Sequence, residues 1–189
     1  MSMKRNRLIG LVVVVPALVG GEPMALAQAK WRAISSEVTA TSVGLADGDT
    51  GHGIEGSKVL KLTSALPATG TLSTPKGGVD GEAVWLGLGC RPDYRGRDVR
   101  DKVAVLFGSD VPSCGGTTRA ILNGAVAVLT VNPGPGNVAL QSDTGTDPGD
   151  PTPMFSIGRE DGIALMNMIE DRGTKIHVAL ETTIPAPSK

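Results

Sequence analysis

Residues 82–131 decide how the rest of the chain is read. They run EAVWLGLGC (82–90), RPDYRGRDVRD (91–101), KVAVLFG (102–108), SDVPSCGGTTRAILNGA (109–125) and VAVLTV (126–131). Three apolar runs are separated by a polar turn and then by a short helix-like segment. Val103–Phe107 has no polar break, which fits a strand covered on both faces. Ala125–Val131 is a run of the same kind. Between them, Thr117–Asn123 places Ile121 and Leu122 behind a Gly-Gly-Thr-Thr start, and Gly124 stands where a helix C-terminal glycine belongs. Strand, helix, strand in that order predicts a right-handed crossover onto a parallel neighbour.

On the N-terminal side, Met1–Ala27 reads as a secretory signal peptide. Lys4, Arg5 and Arg7 form a basic start, Leu8–Gly20 an apolar centre, and Ala25-Leu26-Ala27 a small-x-small cleavage pattern. The apolar run, of about 13 residues broken by Pro16, is short of the ~20 that a spanning helix needs. Cleavage there removes three basic residues and Glu22, taking the net charge from −1 to −3. Glu37–Val43 and Ser57–Leu66 alternate and read as strands. Leu45–Gly56 is rich in Gly and Asp, and Pro67–Gly81 reads as loop.

On the C-terminal side, Asn132–Pro153 holds many turn residues and few apolar ones, which predicts a long exposed loop. Met154–Ile157 reads as a short strand. Arg159–Arg172 is the clearest helix, with Ile163, Met166 and Ile169 on one stripe and Leu165 beside it. Glu160 and Asp161 sit in its first turn, and Gly173 follows its end. Thr174–Leu180 reads as a strand with Ile176, Val178 and Leu180 on one face, and Thr183–Lys189 as a tail.

The chain as a whole is bounded by its composition. Its 189 residues suit one domain with a real core. A net charge of −1 leaves no basic footprint for nucleic acid, and 3% aromatic residues leave few platforms for stacking bases.

The ordered set Asp93-Tyr94, Gly96, Asp98-Val99, Asp101-Lys102-Val103, Cys114, Ala120, Gly124-Ala125, Asn132, Pro153, Ile157, Asp161-Gly162 and Leu165 resembles the protease-associated (PA) domain. That domain is an insert or appendage in zinc aminopeptidases, subtilisin-like proteases and some sorting receptors. The resemblance covers roughly residues 81–180. It implies an α+β fold of the swivelling type, a β-rich sandwich or barrel of six to eight strands with about two flanking helices. Residues 28–80 would supply flanking strands of the same domain, with the PA-like part at 81–182. It also implies that the metal ligands of the aminopeptidases lie on a separate domain, and that the PA domain guides substrate access.

Chemistry is sparse in the residues themselves. His52 sits in a Gly-rich loop and His177 on the polar face of the last strand; no G-x-S-x-G or H-E-x-x-H pattern is present. Asp143, Asp147 and Asp150 offer three carboxylates to a calcium ion, but their spacing matches no calcium-loop pattern and Asp beside Gly and Pro is ordinary turn chemistry. Asp47 and Asp49 carry a weaker signal still. Gly115-Gly116-Thr117-Thr118 reads as a helix start capped by threonine rather than as an anion cradle. Cys90 and Cys114, an even pair in an exported chain, read as a disulfide, with two buried thiols as the alternative. In a PA-like sheet each follows one of two neighbouring strands.

The sequence is therefore read as a periplasmic or secreted, non-catalytic PA-like module without cofactor or metal. Its partner would be a protein or peptide, possibly a peptidase, with no nucleic acid and no membrane span. The other reading is the front portion or a split subunit of a zinc aminopeptidase-like hydrolase. Candidate binding residues are Arg91, Asp93, Tyr94 and Arg97 on the polar rim, and Asn132, Asn137, Asp143 and Asp147 on the long loop.

Overall fold

The computed structural model describes residues 32–43, 57–108, 114–140, 152–170 and 174–183. These form β1 (Arg32–Val43), β2 (Ser57–Lys61), β3 (Leu66–Pro67), β4 (Val79–Trp85), β5 (Val103–Phe107), α1 (Gly116–Leu122), β6 (Ala127–Val131), β7 (Met154–Ile157), α2 (Arg159–Glu170) and β8 (Lys175–Thr183). A 3-10 turn, Arg91–Tyr94, lies between β4 and β5. The strands make one mixed sheet in the order β2-β1-β8-β4-β5-β6-β7-β3. The expected class holds: α+β, β-rich, with two helices.

Periodicity explains the layering. The β4–β5, β5–β6 and β6–β7 pairs are parallel. Val103 and Val105 of β5, with Ala127, Leu129 and Val131 of β6, join a core with Leu165 and Met168 of α2. The alternate residues Ala104, Leu106 and Val128 join a second core with Ala120 of α1. Both faces of these strands are thus buried, as their unbroken apolar runs require. Strands β1, β2 and β8 pair antiparallel and are apolar on one face only. Ile176, Val178 and Leu180 go inward, while Lys175 stays exposed. The other face carries a Glu37–Lys61 ion pair (3.6 Å) and a His177–Asp80 hydrogen bond (2.9 Å), each of little energetic weight at a surface.

Helix α1 ends in a Schellman motif. Gly124 takes φ 88°, its N–H donates to Ile121 O (2.8 Å), and Ala125 N–H donates to Ala120 O (3.1 Å). Its start differs from expectation. The N-cap is Gly115 in the left-handed region (φ 56°) with no side-chain cap. Thr117 is the second helical residue and is buried, so it does not cap the helix.

Four other expectations are corrected. The first apolar run pairs as Val79–Trp85 rather than from Glu82 to Cys90, because β4 must reach back to β8. The segment read as loop at 67–81 contributes Pro67 to β3 and Val79–Gly81 to β4. Proline survives there because β3 is a two-residue edge strand. The buried stripe of α2 is Asp161, Gly162, Leu165 and Met168, and Ile163 is 41% exposed. Gly162 sets that rotation, since a Cβ on it would fall within the Val131 side chain. Finally, the loop after β6 is not wholly exposed: Asn132 and Pro153 are buried at its two ends.

Residues 1–27, read as a leader, the Gly-rich stretch with His52, Asp47 and Asp49, the acidic residues Asp143, Asp147 and Asp150, Gly173 and residues 184–189 lie outside the described residues; Thr183, read as the start of the tail, ends β8. Among the described residues no helix is long and apolar enough to cross a membrane.

Gly162→Ala tests how closely α2 rides on β6. Helix propensity alone would favour alanine by about 1 kcal/mol, but overpacking against Val131 opposes it. A net loss of about 1–2 kcal/mol in urea unfolding is expected, part of it recovered by adding Val131→Ala. A gain in stability would show that the helix can simply lift away.

Candidate functional site

The β4–β5 connection is built as a strap lying along α1. At one end, Cys90 and Cys114 are joined in a disulfide with Cα atoms 4.4 Å apart. Pro92 starts the 3-10 turn, and Asp93 Oδ2 accepts the Cys90 backbone N–H (2.8 Å). The Tyr94 hydroxyl then donates to the carbonyl of Gly116, the first residue of α1 (2.8 Å). Arg97 reaches back to donate to the Trp85 carbonyl, and Asp98 Oδ1 accepts the Arg100 N–H (3.0 Å). At the far end Asp101, at φ 58°, donates its N–H to Gly124 O (2.9 Å), and Lys102 O accepts from Val126 N–H (2.9 Å). The strap is therefore pinned at both ends of the helix.

Charge is distributed unevenly on it. Arg91, Arg95, Arg97 and Arg100 are exposed. Arg119 of α1 stands with its guanidinium 6.0 Å from the Tyr94 ring centre and donates to Cys114 O (3.4 Å). Its Nε is buried without a partner. Burial pushes the Tyr94 hydroxyl up to about 12; Arg119 pulls it down in part, and Asp93 adds to the rise. Beyond Arg97 lies an open cleft of about 410 Å³ whose lining includes Glu82, Trp85, Arg97, Lys102 and Glu170. Lys102 Nζ lies 3.0 Å from Glu82.

Asn132 and Asn137, the other described candidates, stand elsewhere. The Asn132 side chain donates to Val138 O (2.7 Å) and accepts from Gly134 N–H (3.0 Å). Asn137 Oδ1 accepts the Asp161 N–H at the start of α2 (3.0 Å), and its Nδ2 reaches Thr63 Oγ1 (3.5 Å). Helices α1 and α2 pack on opposite faces of the sheet, so the strap and this loop do not share a surface. Asp143 and Asp147 lie outside the described residues.

One polar group escaped the sequence reading. Asp161 is buried, and its carboxylate accepts from both the N–H (2.8 Å) and the hydroxyl (2.7 Å) of Ser64. The same hydroxyl oxygen accepts the Gly158 N–H (2.7 Å). Local sequence shows only an acidic residue in a helix's first turn; the partner is 97 positions away. Among the described residues no group of three or more His, Cys, Asp or Glu side chains is placed to hold a metal ion.

The sequence matches no protein-family profile and no curated protein. Solved structures do share the fold. An aminopeptidase from Aneurinibacillus sp. strain AM-1 superposes with a TM-score of 0.56 at 22% identity, over 81% of this chain and 33% of that one. A zinc aminopeptidase from Bacillus subtilis gives 0.54 at 21% identity, over 81% and 32%. A peptidase precursor from Shewanella amazonensis gives 0.53 at 15% identity, over 81% and 35%. This chain thus spans about a third of the length of each of these peptidases.

Two measurements probe the strap. Cys90→Ala with Cys114→Ala reopens a loop of about 25 residues and should lower the unfolding free energy by about 3 kcal/mol. A loss below about 1 kcal/mol would mean that the other pins suffice. Tyr94 is the only tyrosine, so absorbance titration reads it alone: the midpoint should be near 12 in the folded chain and about 10 in urea. Because folding raises this value, Tyr94 stabilises the protein fully below pH ~10 and the contribution is lost as pH rises through ~12. Tyr94→Phe should remove that loss; a native midpoint near 10 would contradict the burial.

Proposed function

We propose that this chain is an exported, non-catalytic binding domain of the protease-associated type, acting on a protein or peptide beside a peptidase catalytic unit. The observation that carries this is the correspondence of most of the chain with one third of each aminopeptidase structure. The PA-like motif order in residues 93–165 supports the same reading. The Cys90–Cys114 disulfide is compatible with an oxidising compartment outside the cytosol, and the leader read at 1–27 agrees with it. The bearing surface is the strap Arg91–Arg97, whose polar side chains project from a backbone held by hydrogen bonds and a disulfide. Of the candidates on the loop after β6, Asn132 and Asn137 engage their side chains within the fold, and Asp143 and Asp147 lie outside the described residues.

The one-third correspondence also favours a second reading, in which the chain is the front portion or a split subunit of a zinc aminopeptidase-like hydrolase. The two differ in where the catalytic unit resides, not in what this domain does.

The test is capture by the full chain, tagged at its C terminus and expressed in its native host, with mass spectrometry of what co-purifies. Recovery of a peptidase is expected. Arg91→Glu with Arg95→Glu should reduce that recovery severalfold while shifting the melting temperature by no more than about 2 °C, as exposed substitutions do. Failure to recover any peptidase removes the accessory reading. Hydrolysis of an aminoacyl anilide by the purified chain alone would overturn the non-catalytic one.

A further inference from the structure

We propose that the arginines of the strap receive an acidic, carboxylate-rich segment of a protein partner. This rests on the reading of the chain as a binding module, and names the chemistry of what it binds. Arg91, Arg95, Arg97 and Arg100 are all exposed within ten residues of chain. Among the described residues Lys61–Glu37 and Lys102–Glu82 are ion pairs and His177 contacts Asp80. None of the strap arginines, nor Arg119, takes part in one. The nearby carboxylates do not serve them either: Asp93 accepts from the Cys90 N–H and Asp98 from the Arg100 N–H.

A guanidinium is the side chain best matched to a carboxylate, because its planar fork offers two parallel N–H donors to the two oxygens. Residues 91–102 carry four such forks and Lys102 against Asp93, Asp98 and Asp101, an excess of two positive charges on a pinned segment of a chain whose net charge is −1. Arg119, on the neighbouring helix, is a further guanidinium without an ion-pair partner among the described residues. Its Nε is buried with no acceptor, beside the Tyr94 ring and the Cys114 carbonyl. The strap needs little ordering to accept a carboxylate, because the disulfide and the Gly116 and Gly124 contacts already fix its path. A nucleic acid fits less well: Tyr94 is half-buried with its hydroxyl engaged, so the strap offers no open ring for bases to stack on.

The experiment uses the full chain and a fluorescein-labelled deca-glutamate peptide, read by anisotropy. Binding is expected at low salt and should weaken about tenfold or more between roughly 20 and 200 mM NaCl, as screening requires. The triple variant Arg91→Glu, Arg95→Glu, Arg100→Glu should abolish it, with the far-ultraviolet circular dichroism unchanged. The triple Arg→Lys variant keeps the charge but loses the fork, and should bind severalfold more weakly than the native chain. Equal binding by the lysine variant would overturn fork recognition, and absence of binding at low salt would overturn the proposal altogether. Binding of an oligothymidylate decamer as tight as that of deca-glutamate would also overturn it, reducing the strap to a general polyanion surface. If a partner is captured from the host while deca-glutamate fails to bind, the binding-module reading stands and only the acidic segment is lost.

Discussion

Strand β4 serves two halves of the sheet, and everything else is arranged around that exchange. Val79–Glu82 pair antiparallel with β8, and Ala83–Trp85 pair parallel with β5. A strand can change partners within seven residues only if its neighbours approach closely at the crossing point. Gly81 sits there, and a Cβ on it would lie 3.0 Å from the Val103 backbone nitrogen and 3.1 Å from side-chain carbons of Val103 and Val126. The absence of a side chain lets β5 and the turn before β6 close over β4. From this follow the two environments of the sheet: a parallel half sandwiched between α1 and α2, and an antiparallel half with one wet face.

A second constraint is polar and buried. Taking a carboxylate out of water is costly unless donors surround it. Asp161 has two from Ser64 and stands in the first turn of α2, where the helix dipole favours a negative charge. Ser64 in turn satisfies Gly158, and Asn137 satisfies the Asp161 N–H. Three segments remote in sequence therefore meet at the head of one helix. The consequence for function is that the first part of the loop after β6 is spent on the fold, since Asn132 and Asn137 both direct their amides inward.

What could be seen in the sequence divides along the same physical lines. Strands β5, β6 and β7, the α1 glycine terminus and the alternating face of β8 were legible, because each is determined by its own residues. The rotation of α2 was not, because the choice between Ile163 and Leu165 as the inward residue depends on the contact of Gly162 with Val131 across the core. Nor was β3, whose two residues include a proline and pair only because β7 runs beside them. The pairing of Ser64 with Asp161 depends on tertiary approach over 97 positions and leaves no local pattern. For the candidate site, Arg91, Asp93, Tyr94 and Arg97 were found as a polar stretch, but their division of labour was not visible. Asp93 and Tyr94 turn out to hold the strap, and Arg119, which completes its charge, lies on a helix that sequence reading treated only as packing.

That division of labour is the last step in the argument from structure to binding. A polar residue that already satisfies its neighbours has little to offer a partner, because engaging it first breaks an existing hydrogen bond. By that criterion Asp93, Asp98, Tyr94, Asn132 and Asn137 belong to the scaffold, however polar the stretches that contain them. Arg97 is intermediate, since its one bond is to the carbonyl of Trp85 at the end of β4. Arg91, Arg95 and Arg100 carry full charges on exposed side chains without an ion-pair partner among the described residues. A scaffold that commits Asp93 and Asp98 to backbone amides and leaves its guanidinium groups free of ion pairs acquires a surface with positive charge in excess of its exposed Asp98 and Asp101. It does so without a large net charge and without weakening its core.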